Sequence, residues 1–343
     1  MLTDESELTT PTDLCTPDGR GLNPQARGWS RTPLIRANLR GRWGRTKRWD
    51  YWAVVTDELT VALTYADLDY LGVVSVYWVD LATGRSGGRE VQVPFARGLD
   101  LPDVPGETPL RFRHHHLGVE VADDATGSWL TARWREPDAS LGRLDARVTQ
   151  PTGHQSVNVV IPWSETRFQY TSKQQARPAT GELVVGDDRW PLGAGGSHAW
   201  GVLDVGRGRW PYRTRWNWGA GAGTAVDGRT VGLQVGGIWT VGTGATENGV
   251  IVDGEVVKIG EELDWRYDER APMEPWQVRS TDGALDVRLL PRHLRHARTE
   301  ALMVRSEMRQ VFGSWSGHVP TPQGGRVAVD RLAGFVERSD SRW

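Results

Sequence analysis

Apolar and polar residues alternate with a period of two in short runs along most of the chain: Thr60 to Ala66, Val73 to Asp80, Val119 to Ala122, Thr230 to Val235, Val250 to Asp253 and Leu285 to Leu290. Period two places every second side chain on one face, so each run predicts a half-buried β-strand. Turn pairs punctuate the pattern at Asp227-Gly228, Asp253-Gly254, Asp282-Gly283, Asn248-Gly249 and Gly324-Gly325. The second residue of each pair accepts a positive φ without Cβ strain, which predicts hairpins. Helical periodicity is scarce. Closely spaced strands without intervening helices predict an all-β protein built from antiparallel barrels, sandwiches or strongly curved sheets, with little helix.

The first forty residues, including TTPTDLCTPDGRGLNP, show no period and read as an extended lead. Further breaks are expected at Pro151 to His154 and at Arg177 to Gly181. Gly193-Ala-Gly-Gly-Ser197 has the most flexible composition, so a domain boundary is expected between about 175 and 200. The resulting division is a lead over 1–40, a first β domain over 41–185 and a second over 186–343. The halves share a pattern: Arg48-Trp-Asp-Tyr-Trp52 and Arg215-Trp-Asn-Trp218 each precede a hairpin and a valine-rich strand ending in Asp, which points to duplication.

Composition narrows the functional classes. The chain has 343 residues, 38% of them hydrophobic, with 41 Lys and Arg against 43 Asp and Glu. Such a near-neutral balance provides no basic field for tracking phosphates, so nucleic acid is not an expected partner. The longest strongly apolar uncharged stretch, Leu71 to Val79, is too short for a membrane helix. One cysteine, Cys15, cannot form an internal disulfide, and the acidic start MLTDESELTTP lacks the features of a signal peptide; a cytoplasmic location is expected. No zinc spacing, phosphate loop or nucleophile elbow is present, so neither a metal nor a cofactor is expected. Tryptophan, at 18 residues, outnumbers the 5 Phe and 7 Tyr together. It suits both a β core and a pocket for a bulky apolar ligand.

Several residues are candidates for chemistry. Asp67 and Asp69 are two apart, so on a strand both would share a face and one could hold a proton; in a turn they would instead cap the backbone. Asp204 to Trp218 is the segment densest in Arg and Trp, and it either staples a loop or lines a pocket. Its candidate ligand-binding residues are Asp204, Arg207, Trp210, Tyr212, Arg213, Trp216 and Trp218. Lys173 is one of only three lysines beside 38 arginines, which marks it as a further ligand-binding candidate or a surface residue. Glu247 offers an acid beside Asn248, unless the pair only forms a hairpin turn. His114-His-His116 reads as an exposed strand end, since two histidines on one face are too few for a zinc site.

The motifs Leu39-Arg-Gly-Arg-Trp-Gly-Arg-Thr-Lys-Arg-Trp-Asp-Tyr-Trp52, Asn158 to Ser164, Phe168 to Gln174 and Gly208 to Trp218 together resemble the bacterial family DUF 2804 over nearly the whole chain. More distantly, Arg48-Trp-Asp-Tyr-Trp52 resembles the opening of the AttH-like and carotenoid hydratase superfamily, with Arg48 and Asp50 where that pattern carries acid and Trp. Gly41-Arg-Trp43 and Gly237-Ile-Trp239 match the lipocalin G-x-W word. The resemblance implies two consecutive lipocalin-like (calycin) barrels and a large apolar ligand of lipid, isoprenoid or polyketide type. Three functions are open at this point. The first is binding of such a ligand in a Trp-lined pocket. The second is cofactor-independent hydratase or cyclase action by a buried acid among Asp67, Asp69 and Glu247. The third is carbohydrate binding on Trp platforms. The pocket is expected where the Asp204 to Trp218 segment faces the first domain.

Overall fold

The computed structural model describes residue 3, residues 5–301 and residues 304–342. The described residues contain no α-helix and a single 3-10 turn at Pro24–Ala26. The lead supplies β1 (Thr12–Asp13), β2 (Trp29–Ser30) and β3 (Ile35–Arg36). There follow β4 (Thr46–Val55), β5 (Leu59–Asp67), β6 (Leu71–Asp80), β7 (Ser86–Pro94), β8 (Leu110–His114) and β9 (Leu117–Asp124). The first half continues with β10 (Gly127–Arg135), β11 (Leu141–Thr149), β12 (Val157–Ser164), β13 (Arg167–Val185), β14 (Asp188–Leu192) and β15 (Trp200–Arg209). The second comprises β16 (Arg213–Thr224), β17 (Thr230–Gly237), β18 (Gly249–Val252), β19 (Glu255–Lys258), β20 (Asp264–Arg266), β21 (Trp276–Arg279), β22 (Asp286–Ala301), β23 (Val304–Pro320) and β24 (Arg326–Arg342).

These strands make two curled antiparallel sheets with the same plan. The first runs β7-β6-β5-β4-β15-β13-β11-β10-β9-β8, and the second β19-β18-β17-β16-β24-β23-β22-β21-β20. In each, a four-strand meander leads away from the opening strand, and the final strand returns to pair on that strand's free side. Among the described residues neither circle is closed by a ladder: β7 approaches β9 and β10 without pairing to them, so the first sheet is a half-barrel open at a seam.

Side-chain alternation decides which face of each sheet becomes core. In the first sheet Leu59, Val61, Leu63 and Tyr65 of β5 turn inward with Val74, Val76 and Trp78 of β6. The second sheet encloses Val231, Leu233, Val235, Trp276, Val278 and Trp315 in the same manner. The opposite faces meet each other: Tyr51, Ala53, Val55 and Val202 of the first sheet pack with Trp218, Ala220, Phe312 and Phe335 of the second. The lead spans both halves, since β2 pairs with β12 while Thr3 N donates to Gly260 O at 2.8 Å.

Three sequence expectations need correcting. Arg177 to Gly181 is no break, because β13 runs through it as a 19-residue strand. It bends at Ala176 (φ 56) and shifts register between Gln174 and Arg177, passing from one set of partners to another. The flexible Gly193 to Ser197 loop leads only to β15, which pairs with β13 and β4; the chain changes sheet at Trp210 to Tyr212 rather than near residue 185. Asn248-Gly249 is not a hairpin turn either. Gly249 opens β18, and Asn248 fixes the approach to it by accepting from Gly236 N (2.7 Å) and donating to Glu261 O (2.9 Å). Asp253-Gly254, by contrast, forms the β18–β19 turn with both residues at positive φ, as a two-residue hairpin needs. No helix among the described residues is long and apolar enough to cross a membrane.

Candidate functional site

Before the bend at Ala176, odd-numbered residues of β13 share the face turned toward the second sheet, and they carry a polar row, Gln169, Thr171, Lys173 and Gln175, each buried. A buried polar row survives only with partners. Gln169 accepts from Trp210 Nε1 (2.7 Å), Thr171 donates to Asp204 Oδ1 (3.1 Å), and Gln175 donates to Gln234 Oε1 (3.1 Å). Lys173 lies directly across the ladder from Asp204 and contacts its Oδ1 at 3.0 Å and Glu247 Oε2 at 3.1 Å. Its ammonium also sits 4.4 Å from the Trp218 ring centroid.

Around this network lies a cavity of about 260 Å³ between the two sheets. The first sheet contributes Trp49, Tyr51, Ala66, Leu68, Leu71 and Val73; the second contributes Trp216, Trp218, Arg295, Met308, Glu337 and Ser339. Trp210 and Trp239 complete the aromatic wall, stacked on each other at 5.3 Å, with Trp49 5.4 Å and Trp216 5.9 Å from Trp210.

Three indoles of this wall clamp the three buried carboxylates. Trp49 Nε1 donates to Asp204 Oδ2 (3.1 Å), Trp239 Nε1 to Glu247 Oε1 (2.8 Å) and Trp216 Nε1 to Glu337 Oε1 (2.7 Å). The arrangement recurs away from the cavity, where Glu136 Oε1 accepts from Trp78 (2.7 Å) and Trp134 (2.8 Å). Two glycines make room for it. A Cβ at Gly206 would collide with the Trp49 ring, and one at Gly236 with the Glu247 carboxylate.

The electrostatics follow from burial and unequal pairing. Burial works against the Lys173 charge, but Asp204 and Glu247 outweigh it and hold the ammonium above its ordinary value. One ammonium cannot balance two carboxylates, and burial raises Glu247 despite Lys173 beside it, with Asp204 adding to the rise. Glu337 is pushed up to about 7, chiefly by burial, while the Trp216 bond and Arg295 pull the other way. The cavity thus holds a carboxyl that exchanges its proton near neutrality.

The structure gathers Lys173, Asp204, Trp210, Trp216, Trp218 and Glu247 at the cavity and leaves the other predicted residues outside it. Asp67 and Asp69 belong to the β5–β6 turn: Asp67 Oδ1 accepts from Asp69 N (2.7 Å), Asp69 Oδ2 accepts from Thr46 N (2.9 Å), and Asp69 has φ 69. Arg207, one step out of phase with Asp204 on β15, points to the opposite face, where it pairs with Asp50 (2.7 Å) and donates to Trp49 O. Arg213 and Tyr212 are exposed, and Tyr212 accepts from Arg342 Nε at 2.8 Å. Trp49, Trp239, Arg295 and Glu337 are among the cavity residues that the sequence does not single out as site residues. The first two stand in noted words, Arg48 to Trp52 and Gly237 to Trp239; Glu337 and Arg295 lie in long terminal strands whose composition is ordinary. His114 to His116 form a hairpin end, and no group of three or more metal-ligating side chains occurs among the described residues.

Fold and cavity together define an all-β protein of two half-barrel sheets with a tryptophan-walled pocket between them. Within that class, the chain belongs to the family described as a domain of unknown function, DUF2804, which it matches over residues 5–343. No curated protein matches it in sequence. Kievitone hydratase from Nectria haematococca is similar in structure, with a TM-score of 0.48 at 10% identity, over 100% of this chain and 98% of that one. CghA with Sch210972 gives a TM-score of 0.44 at 10% identity, over 87% and 88% of the two chains. A candidate AttH protein from Nitrosomonas europaea gives 0.43 at 12% identity, over 86% and 92%. Likeness at this level is loose and lends nothing to the chemistry of the cavity.

Proposed function

We propose that the protein binds a bulky apolar small molecule in the cavity between its two sheets. The observation that carries this reading is the wall itself: five tryptophans and a tyrosine surround a space whose polar groups are mostly engaged with one another. Stacking surface on several sides, with few convergent polar groups, is the general composition of a small-molecule site. It favours an apolar ligand over a sugar, because Trp210, Trp218 and Trp239 are buried rather than displayed as platforms. In the same reading the protein works in the cytoplasm, in keeping with its single buried thiol.

Native mass spectrometry of the purified protein tests the reading. About one apolar molecule per chain is expected to co-purify, or to be retained after incubation with isoprenoid alcohols, and Trp216→Ala is expected to lose it. A folded Trp216→Ala variant that retains ligand as well as the parent would put the pocket elsewhere.

A catalytic version of this reading is favoured by the placement of Glu337, a buried carboxyl on the cavity wall held by Trp216 and pushed up to about 7 chiefly by burial. A neutral carboxyl there could give its proton to an alkene carbon, with indole faces stabilising the cation formed on the neighbouring carbon. Addition of water would return a proton to the carboxylate and leave an alcohol. Glu337→Gln would then abolish turnover; a carrier would show no turnover in either form.

A further inference from the structure

Acidic and basic groups on the cavity wall are unequal in number: Glu90, Asp204, Glu247 and Glu337 against Lys173 and Arg295. Both cations are already engaged. Lys173 is held by Asp204 and Glu247, and the Arg295 guanidinium lies 4.1 Å from the Tyr77 ring centroid while donating to Gln310 Oε1 at 3.4 Å. Glu337 is only 6% exposed. Its Oε1 accepts from Trp216, and its Oε2 has no hydrogen-bond partner among the described residues. A carboxylate oxygen without a donor, bordering a space walled by indole faces, is free to meet a group that supplies positive charge or a proton.

Indole faces attract cations through the ring quadrupole, and this wall already does so with Lys173 over Trp218. Aromatic faces combined with an excess of carboxylate are the chemistry of a cage for organic ammonium groups. We propose that the polar group this cavity accepts is an organic cation, an amine or alkylammonium carried on an apolar body and seated against the indole faces and Glu337 Oε2. A carboxylate on the same body is refused, because it would face Asp204, Glu247 and Glu337 with no uncommitted cation to meet it. The inference rests on the reading of the cavity as a ligand pocket, and it names the class of ligand.

A pH dependence follows. The charged and titratable groups that bear on Glu337 are Arg295 on β22, Asp204 on β15, Lys173 on β13 and Tyr51 on β4. Arg295 and Lys173 favour its ionised form and Asp204 its neutral form, with burial dominant. A ligand cation beside Oε2 adds a third charge favouring ionisation, so binding expels the Glu337 proton and grows stronger as pH rises. For a group exchanging near pH 7, affinity is expected to rise about tenfold from pH 6 to pH 8.

The test titrates the full chain with decyltrimethylammonium, decanol and decanoate, below their micellar concentrations, following tryptophan fluorescence. The cation is expected to bind at least about tenfold more tightly than decanoate at pH 8, with an advantage that shrinks at pH 6. Glu337→Gln keeps the side-chain shape and the acceptor for Trp216, and it is expected to cut the cation-to-carboxylate ratio at least about fivefold. Decanoate binding as tightly as the cation, or a ratio unchanged in Glu337→Gln, overturns the proposal while leaving the pocket intact. Binding of none of the three probes overturns the pocket reading itself, and this inference with it.

Discussion

Replacing Glu337 by Gln removes one titrating group from the space between the sheets, and its effect on stability can be worked through. The carboxyl exchanges its proton at about 7 in the folded protein against an ordinary value of 4.5. The folded chain therefore holds that proton more tightly than the unfolded chain does. The stability this contributes is fully present below about pH 4.5 and is lost as pH rises through about 7. At about 1.36 kcal/mol per unit, the full span is about 3 kcal/mol, and about 2.5 kcal/mol of it falls between pH 5 and pH 8. An amide cannot ionise, so the variant lacks this slope. Urea unfolding curves for parent and variant, read by tryptophan fluorescence at pH 5 and pH 8, should show the variant gaining about 2.5 kcal/mol on the parent across that interval. A gap between the two proteins that is constant to within about 0.5 kcal/mol would refute the argument that burial holds this carboxyl neutral.

Three further outcomes are expected. Lys173→Met leaves Asp204 and Glu247 buried without their cation and should cost about 3–5 kcal/mol in urea unfolding at pH 7.5, part of it recovered by adding Glu247→Gln; a loss under about 1 kcal/mol would mean the ion pairs are solvated. Asp67→Asn and Asp69→Asn should leave ligand retention by native mass spectrometry unchanged, since both side chains serve the β5–β6 turn; loss of ligand in either would return them to the site. Cys15 is buried, and its thiol is pushed up to about 11 chiefly by burial, so iodoacetamide at pH 7.5 should leave it unmodified until denaturant is added, as read by intact mass.

The β architecture was legible because strand period and turn chemistry are local. Thr60 to Ala66 and Val73 to Asp80 announce β5 and β6 without reference to the rest of the chain, and Asp253-Gly254 announces the turn between β18 and β19. The sheet to which a strand belongs is not local. Trp200 to Arg209 follows the most flexible loop of the chain, yet it pairs with β4, more than a hundred residues earlier. The site divided along the same line. Trp210, Trp216 and Trp218 stood out by density, and Lys173 by rarity among arginines. Arg207 stood out equally and faces the wrong way, because one step along a strand reverses the side chain and only the register with β4 fixes which step is which. Glu337 could not be picked out, since burial by a distant strand gives it its chemistry and leaves no trace in the neighbouring residues.

The indole clamps on Asp204, Glu247 and Glu337 bear on how such a pocket can change over generations of substitution. In most apolar cavities a Trp to Phe exchange trims volume and little else, so contour can drift independently of charge. Here each ring that shapes the wall also supplies the donor for one carboxylate oxygen, and trimming it leaves that oxygen unsatisfied. Reshaping the cavity to suit a different molecule therefore requires a matched second replacement at the acid. Variants that alter this wall should appear in pairs, an indole together with its carboxylate, rather than one at a time.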